Sequence, residues 1–108
     1  MMLNEYQRNA VQTSIYGSGN AIIYPTLGLV GEAGETSNKV KKVLRDGSGV
    51  FTQENKDSIM LEVGDVLWYC AALLRDLGYT LEECAQSNLA KLAARQEKGT
   101  IAGSGDER

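Results

Sequence analysis

A chain of 108 residues with a net charge of −3 and no histidine is one domain's worth of sequence, long enough for a modest core and short enough to gain from a second subunit. The missing histidine excludes histidine-based catalytic triads, histidine–metal hydrolases and Glu-x-x-His di-iron bundles, and without a basic excess a broad nucleic-acid surface is not expected. Cys70 and Cys84 form no Cys-x-x-Cys pair and read as reduced core residues; the polar residues 1–8 and the short apolar run 66–74 fit neither a signal peptide nor a membrane span, so a cytoplasmic chain with no membrane partner is expected.

Apolar or aromatic side chains at Leu3, Tyr6, Ala10 and Val11, with Asn4 and Gln7 placed like a capping pair, predict a first helix over residues 3–16. Gly17-Ser18-Gly19-Asn20 breaks it, and residues 21–24 are the one short β-like run, with no hairpin signal after it. Pro25 suits the first turn of a second helix. Its inward stripe reads Val30, Ala33, Ser37, Val40 and Leu44 until Asp46-Gly47 ends it, and Lys41 and Lys42 near that end complement the helix dipole. After a Gly/Ser loop, Thr52 is a plausible N-cap for a third helix over residues 53–77, roughly 37 Å long, which Gly78 closes. Thr80 followed by Glu83 is a capping box for a fourth helix to about residue 98. The fold class is therefore all-α, a four-helix domain over residues 1–98, with a Gly/Ser-rich tail over 99–108 that is expected to be mobile or ordered only by a neighbour.

Two acidic motifs stand out: Glu32-Ala33-Gly34-Glu35 in the second helix and Glu62-Val63-Gly64-Asp65 in the third. Each puts carboxylates at i and i+3, a turn apart on one helix face. The third helix is apolar around nearly its whole circumference, through Ile59, Met60, Leu61, Val63, Val66, Leu67, Trp68, Cys70, Leu73 and Leu74, the pattern of a helix buried on nearly all sides. Ser58, Glu62, Asp65, Tyr69 and Asp76 collapse onto one polar strip along it. Taken alone, Glu32 and Glu35 read as a solvated face, because they lie roughly opposite the apolar stripe of their own helix. Glu62 and Asp65 admit a buried salt bridge to Lys or Arg, or a divalent cation shared among oxygen ligands. For four converging carboxylates the cation is the economical reading, and it points to phosphate chemistry. Gly34 and Gly64, each just before the second acid of its motif, predict close approach of another helix or a ligand, since bland helix design would use alanine.

On the fourth helix Asn88, Lys91 and Arg95 fall at i, i+3 and i+7, a polar strip with two cations that reads either as a solvated face or as a phosphate contact. Tyr69, one turn beyond Asp65, is placed either to donate its hydroxyl to a phosphate oxygen or to serve as a core tyrosine. Trp68 is either core or a stacking surface for a nucleobase.

The run Gly28-Leu29-Val30-Gly31-Glu32-Ala33-Gly34-Glu35, followed by Glu62-Val63-Gly64-Asp65-Val66-Leu67-Trp68-Tyr69, resembles the Glu-x-x-Glu … Glu-x-x-Asp signature of MazG-like nucleotide pyrophosphohydrolases, and the resemblance extends over residues 5–95. It implies a four-helix MazG-like bundle completed by oligomerisation as a homodimer or dimer of dimers. It further implies Mg²⁺, with Mn²⁺ as a substitute, and hydrolysis of a (d)NTP to (d)NMP and pyrophosphate by water attack at the α-phosphorus. Glu32, Glu35, Glu62 and Asp65 are the metal ligands that it implies, with phosphate contacts mapping to Asn88, Lys91 and Arg95. Within that reading Tyr69 joins the phosphate contacts, Trp68 is the base-binding candidate, and Glu35 is the first choice of general base. Two alternatives stand beside it: an all-α nucleotidase of the dimeric dUTPase type, usually a longer chain, and a non-enzymatic helical oligomerisation or regulatory module whose acids are structural. Base and sugar preference would depend on the pocket formed by Tyr24, Asn38, Trp68 and the first helix.

Overall fold

The computed structural model describes residues 1–106. They form α1 (Leu3–Val11), α2 (Ile23–Asp46), α3 (Gln53–Leu77) and α4 (Leu81–Lys98), with a 3₁₀ turn at Ser18–Asn20 and no strand among the described residues. The ends of α3 and α4 follow local chemistry. Thr52 Oγ1 accepts from Asn55 N–H at 3.1 Å while Thr52 N–H donates to Asn55 Oδ1 at 3.0 Å, and Thr80 and Glu83 form the equivalent box on α4. Gly78 (φ 87°) and Gly99 (φ 71°) close these helices in the left-handed region that glycine adopts without penalty.

α1 is shorter than its pattern suggests, stopping at Val11. The Ala10 carbonyl, which a continuing helix would give to Ser14, instead accepts the Thr13 hydroxyl at 2.7 Å and the Trp68 indole N–H at 3.0 Å. The β-like residues 21–24 do not form a strand: Ala21 ends the 3₁₀ turn, Ile22 takes φ 69°, and Ile23 opens α2. Asn4 and Gln7 do not cap α1, whose N-cap Met2 makes no side-chain bond. They reach across to α4. Leu81 N–H donates to Gln7 Oε1 at 3.0 Å and Glu82 N–H to Asn4 Oδ1 at 3.2 Å, while Gln7 Nε2 donates to the carbonyls of Ala71 and Tyr79. With Glu83 N–H on Thr80, the first three amides of α4 are all satisfied, two of them by another helix.

The core is small: Ala10, Ala71 and Leu81, with Tyr6, Trp68 and Leu74 packed around them. α2 and α3 pack antiparallel in the most extensive helix pairing of the chain, with Ile22 opposite Asp76, Gly28 opposite Tyr69 and Lys39 opposite Glu62. The face that α2 turns inward is not the predicted one. Pro25 and Val43 are buried, and Gly28, Glu32, Thr36 and Lys39 are half-buried between them at helical spacing, whereas of the expected stripe only Val40 is half-buried, Ala33 and Ser37 being exposed, as are Val30 at 67 % and Leu44 at 64 %. α2 carries two stripes, and the polar one is drawn inward because α3 presents its own polar strip there. Nor does this one chain bury α3 on all sides: Met60, Leu61, Val63 and Leu67 stand exposed. Cys70 is half-buried but Cys84 is exposed, so only the first has core character. No helix among the described residues is long and apolar enough to cross a membrane. Beyond Gly99 the chain turns back on α4, where Asp106 Oδ1 accepts from Lys91 Nζ at 2.9 Å and Arg95 Nη2 at 3.1 Å; residues 107–108 of the tail lie outside the described residues.

Candidate active site

The polar strip of α3 meets the inward stripe of α2 along one seam, and carboxylates meet in its middle. Oxygens of Glu32, Glu62 and Asp65 all lie within 4.8 Å of one another. The hydrogen bond with Glu62, then burial and the surrounding charges of Asp65, Glu62 and Glu35, push the Glu32 carboxyl above its ordinary range. Glu62 moves the other way, because the Lys39 ammonium and then the Glu32 hydrogen bond hold it down. Lys39 Nζ is 3.0 Å from Glu62 Oε1 and donates to the Ser58 carbonyl at 3.2 Å. Apart from the Glu32 carboxyl, the remaining oxygen, Glu62 Oε2, is buried without a hydrogen-bond partner among the described residues, an arrangement that is costly unless something binds it. A set of hard oxygen donors with one orphaned buried atom fits a divalent cation of the Mg²⁺ type.

Beside the carboxylates opens a cleft of about 390 Å³, within the size range of small-molecule sites. Glu32 and Asp65 line it together with Thr13, Tyr16, Tyr24, Trp68 and Tyr69. Its walls are a continuous aromatic series. Tyr16 stacks on Tyr24 at 4.8 Å between centroids, Tyr24 leans on Tyr69 at 6.4 Å, and Trp68 meets Tyr69 edge-on at 5.0 Å. Burial, with Tyr24 next to it, pushes the Tyr69 hydroxyl up in pKa, so it is a donor at neutral pH.

Backbone features hold these rings. The Tyr69 ring lies over Gly28 so closely that a Cβ there would overlap it. Gly34 and Gly64, predicted to mark a close approach, have nothing among the described residues within 4 Å of where a Cβ would be, whereas Gly28 has the Tyr69 ring. Tyr16 sits in the α1–α2 connection, which the end of α3 anchors. Asp76 accepts from the Tyr16 hydroxyl at 2.8 Å and from Ile22 N–H at 2.9 Å, and it pairs with Arg75 at 3.1 Å. Burial works against the Asp76 carboxylate, yet those three donors together hold its pKa below the usual range. Trp68 is tied in as well, its indole N–H donating to the Ala10 carbonyl and to Thr13 Oγ1 at 2.8 Å, which leaves only its ring to the cleft.

Of the residues singled out from sequence, the structure brings together Glu32, Glu62, Asp65, Tyr69 and Trp68, and also Tyr24. Glu35 is exposed one turn beyond Glu32, outside the three-carboxylate cluster but near enough to raise it. Asn38 is exposed and lines no part of the cleft. Asn88, Lys91 and Arg95 do not line it either. Asn88 lines an apolar groove to which all four helices contribute, and the two cations hold Asp106. Sequence reasoning passed over Lys39 and Tyr16. Lys39 had a legible signal, since it follows Glu32 by seven residues and so shares its face of α2. Tyr16 had none, because a loop has no period.

A family model described as MazG nucleotide pyrophosphohydrolase domain matches residues 25–100, which takes in α3 and α4 whole and all of α2 but its first two residues. The chain is similar to Gene 37 protein of Mycobacterium phage L5, at 50 % identity over 114 residues covering 100 % of both chains. No solved structure matches. With its paired acidic motifs meeting across α2 and α3, and a family match spanning most of the fold, the chain belongs to the family of MazG nucleotide pyrophosphohydrolase domains.

Proposed function

We propose that this chain is a Mg²⁺-dependent nucleoside triphosphate pyrophosphohydrolase, converting a (d)NTP and water to a (d)NMP and pyrophosphate. The observation that carries the reading is the convergence of the Glu32, Glu62 and Asp65 carboxylates at the wall of an aromatic cleft. These three residues, with Glu35 from one turn on, would hold the ion, and Mn²⁺ would substitute. When bound, the ion supplies charge neutralisation at phosphate oxygens and lowers the pKa of a water at the site. Glu35, exposed and outside the cluster, takes the proton of the water that attacks the α-phosphorus. The Tyr69 hydroxyl donates to a phosphate oxygen. Tyr16, Tyr24 and the ring of Trp68 offer stacking surface to the base.

Asn88, Lys91 and Arg95 neutralise the departing pyrophosphate only if α4 of a second copy reaches the cleft, so the phosphate assignment and oligomerisation stand together. Supporting a homodimer or dimer of dimers, the outward stripe of α2 and the open side of α3 expose Leu27, Val30, Met60 and Leu61, each more than half accessible, large apolar side chains that a second copy could cover. The testing experiment is product analysis with Mg²⁺ and a panel of standard and modified (d)NTPs, beside Glu62→Gln. Pyrophosphate release by wild type alone is expected. Orthophosphate release, or comparable turnover by Glu62→Gln, would overturn the mechanism, and no release from any triphosphate would overturn the activity.

A further inference from the structure

Lys39 is the one cation in contact with the carboxylate cluster among the described residues, and the proposed mechanism does not use it. It reaches from α2 onto a single turn of α3, binding the Ser58 carbonyl at one end of that turn and Glu62 Oε1 at the other. One consequence follows from that placement. With Oε1 taken by Lys39, Glu62 is held in one orientation and has Oε2, which no donor among the described residues but the Glu32 carboxyl meets, to offer.

We propose that Lys39 is a positioning residue for the metal centre: it clamps Glu62 as a one-oxygen ligand. The inference rests on the reading of Glu32, Glu62 and Asp65 as metal ligands. Fixing a ligand from outside the coordination sphere typically contributes about 10- to 100-fold to metal affinity. Simple charge removal predicts the opposite sign, because deleting a cation beside the site should tighten cation binding.

The test is Mn²⁺ binding to the full chain, followed by loss of the free-ion EPR signal, for wild type, Lys39→Met and Lys39→Arg, with helical content checked by circular dichroism. The expected result is an affinity about 10-fold weaker in Lys39→Met, with most of it recovered in Lys39→Arg, which keeps the charge and the donors. Lys39→Met binding as tightly as wild type, or more tightly, overturns the proposal, as does a Lys39→Arg no better than Lys39→Met. Wild type that binds no Mn²⁺ overturns the reading of the site itself, which separates the two failures. Should Lys39→Met not fold, the wild-type protein crystallised with Mn²⁺ decides: Glu62 ligating through one oxygen with Lys39 still on the other supports the proposal, and both Glu62 oxygens on the ion with Lys39 turned away overturns it.

Discussion

Replacing Gly28 by alanine separates the packing of the Tyr69 ring from ordinary helix propensity. A Cβ at Gly28 would overlap Cδ1, Cε1 and Cζ of Tyr69, whereas one at Gly34 or Gly64 meets no atom within 4 Å. All three glycines lie inside helices, so alanine gains about 0.5–1 kcal/mol at each from backbone entropy. Nothing among the described residues opposes that gain at Gly34 or Gly64. At Gly28 the obstacle is an aromatic ring wedged between Tyr24 and Trp68, which cannot swing aside as a flexible chain end would. Forcing a methyl into such a contact costs about 1–3 kcal/mol, which after the propensity gain leaves Gly28→Ala about 0–2.5 kcal/mol less stable, or up to about 20 °C lower in Tm for a chain of this size. Urea unfolding followed by far-UV circular dichroism should show a lowered midpoint for Gly28→Ala and raised ones for Gly34→Ala and Gly64→Ala. Adding Tyr69→Leu to Gly28→Ala should recover part of the loss, a coupling that a double-mutant cycle measures. A Gly28→Ala protein as stable as Gly34→Ala would refute the reasoning. A loss at Gly34→Ala that deepens with protein concentration would instead place a second copy against that face.

Gln7→Ala leaves the buried Leu81 N–H without its acceptor, so a loss of about 1–3 kcal/mol is expected, and hydrogen exchange should show the Leu81 and Glu82 amides losing protection ahead of the rest of α4. For the carboxylates the sign follows from linkage. Folding raises the Glu32 pKa, so ionised Glu32 works against the fold at neutral pH, and that penalty fades as pH falls through the raised value. Folding lowers the Glu62 pKa, so its contribution is present above the ordinary carboxylate range and is lost as pH falls through the lowered value. In chelator, Glu32→Gln should therefore melt higher than wild type at neutral pH and converge with it in acid, whereas Glu62→Gln should melt lower at neutral pH. Thermal melts across the pH range decide this, and a metal-free wild type more stable than Glu32→Gln at neutral pH would contradict the pairing described for Glu32 and Glu62.

What could be read from residues alone was whatever depends on neighbours within about one helical turn. Thr52, Thr80 with Glu83, and Gly78 mark helix ends because a cap is a bond between residues three or four apart, and all of these ends stand where the pattern puts them. The i, i+3 spacing of Glu32 with Glu35 and of Glu62 with Asp65 likewise settled that each motif presents its acids on one face. The family signature rests on the same local regularity.

Everything that needed a distant partner was decided by tertiary structure. α1 stops at Val11 because an indole from Trp68, 58 residues along the chain, takes the Ala10 carbonyl. Asn4 and Gln7 look like a local cap, yet they serve α4, since an amide three residues from another can as well reach a different helix. A glycine is conspicuous in a helix whether or not anything lies against it, so Gly34 and Gly64 drew the attention that Gly28 merited. The largest difference is the face of α2. Its sequence carries an apolar stripe and a polar stripe at the same period, and helical periodicity alone cannot say which one turns inward. Glu62 of α3 takes Lys39 as its countercharge, which turns the face carrying Glu32 and Lys39 inward and leaves Val30 and Leu44 outside. Periodicity determines which residues share a face; only the opposing helix, through the electrostatics of what it presents, determines where that face points.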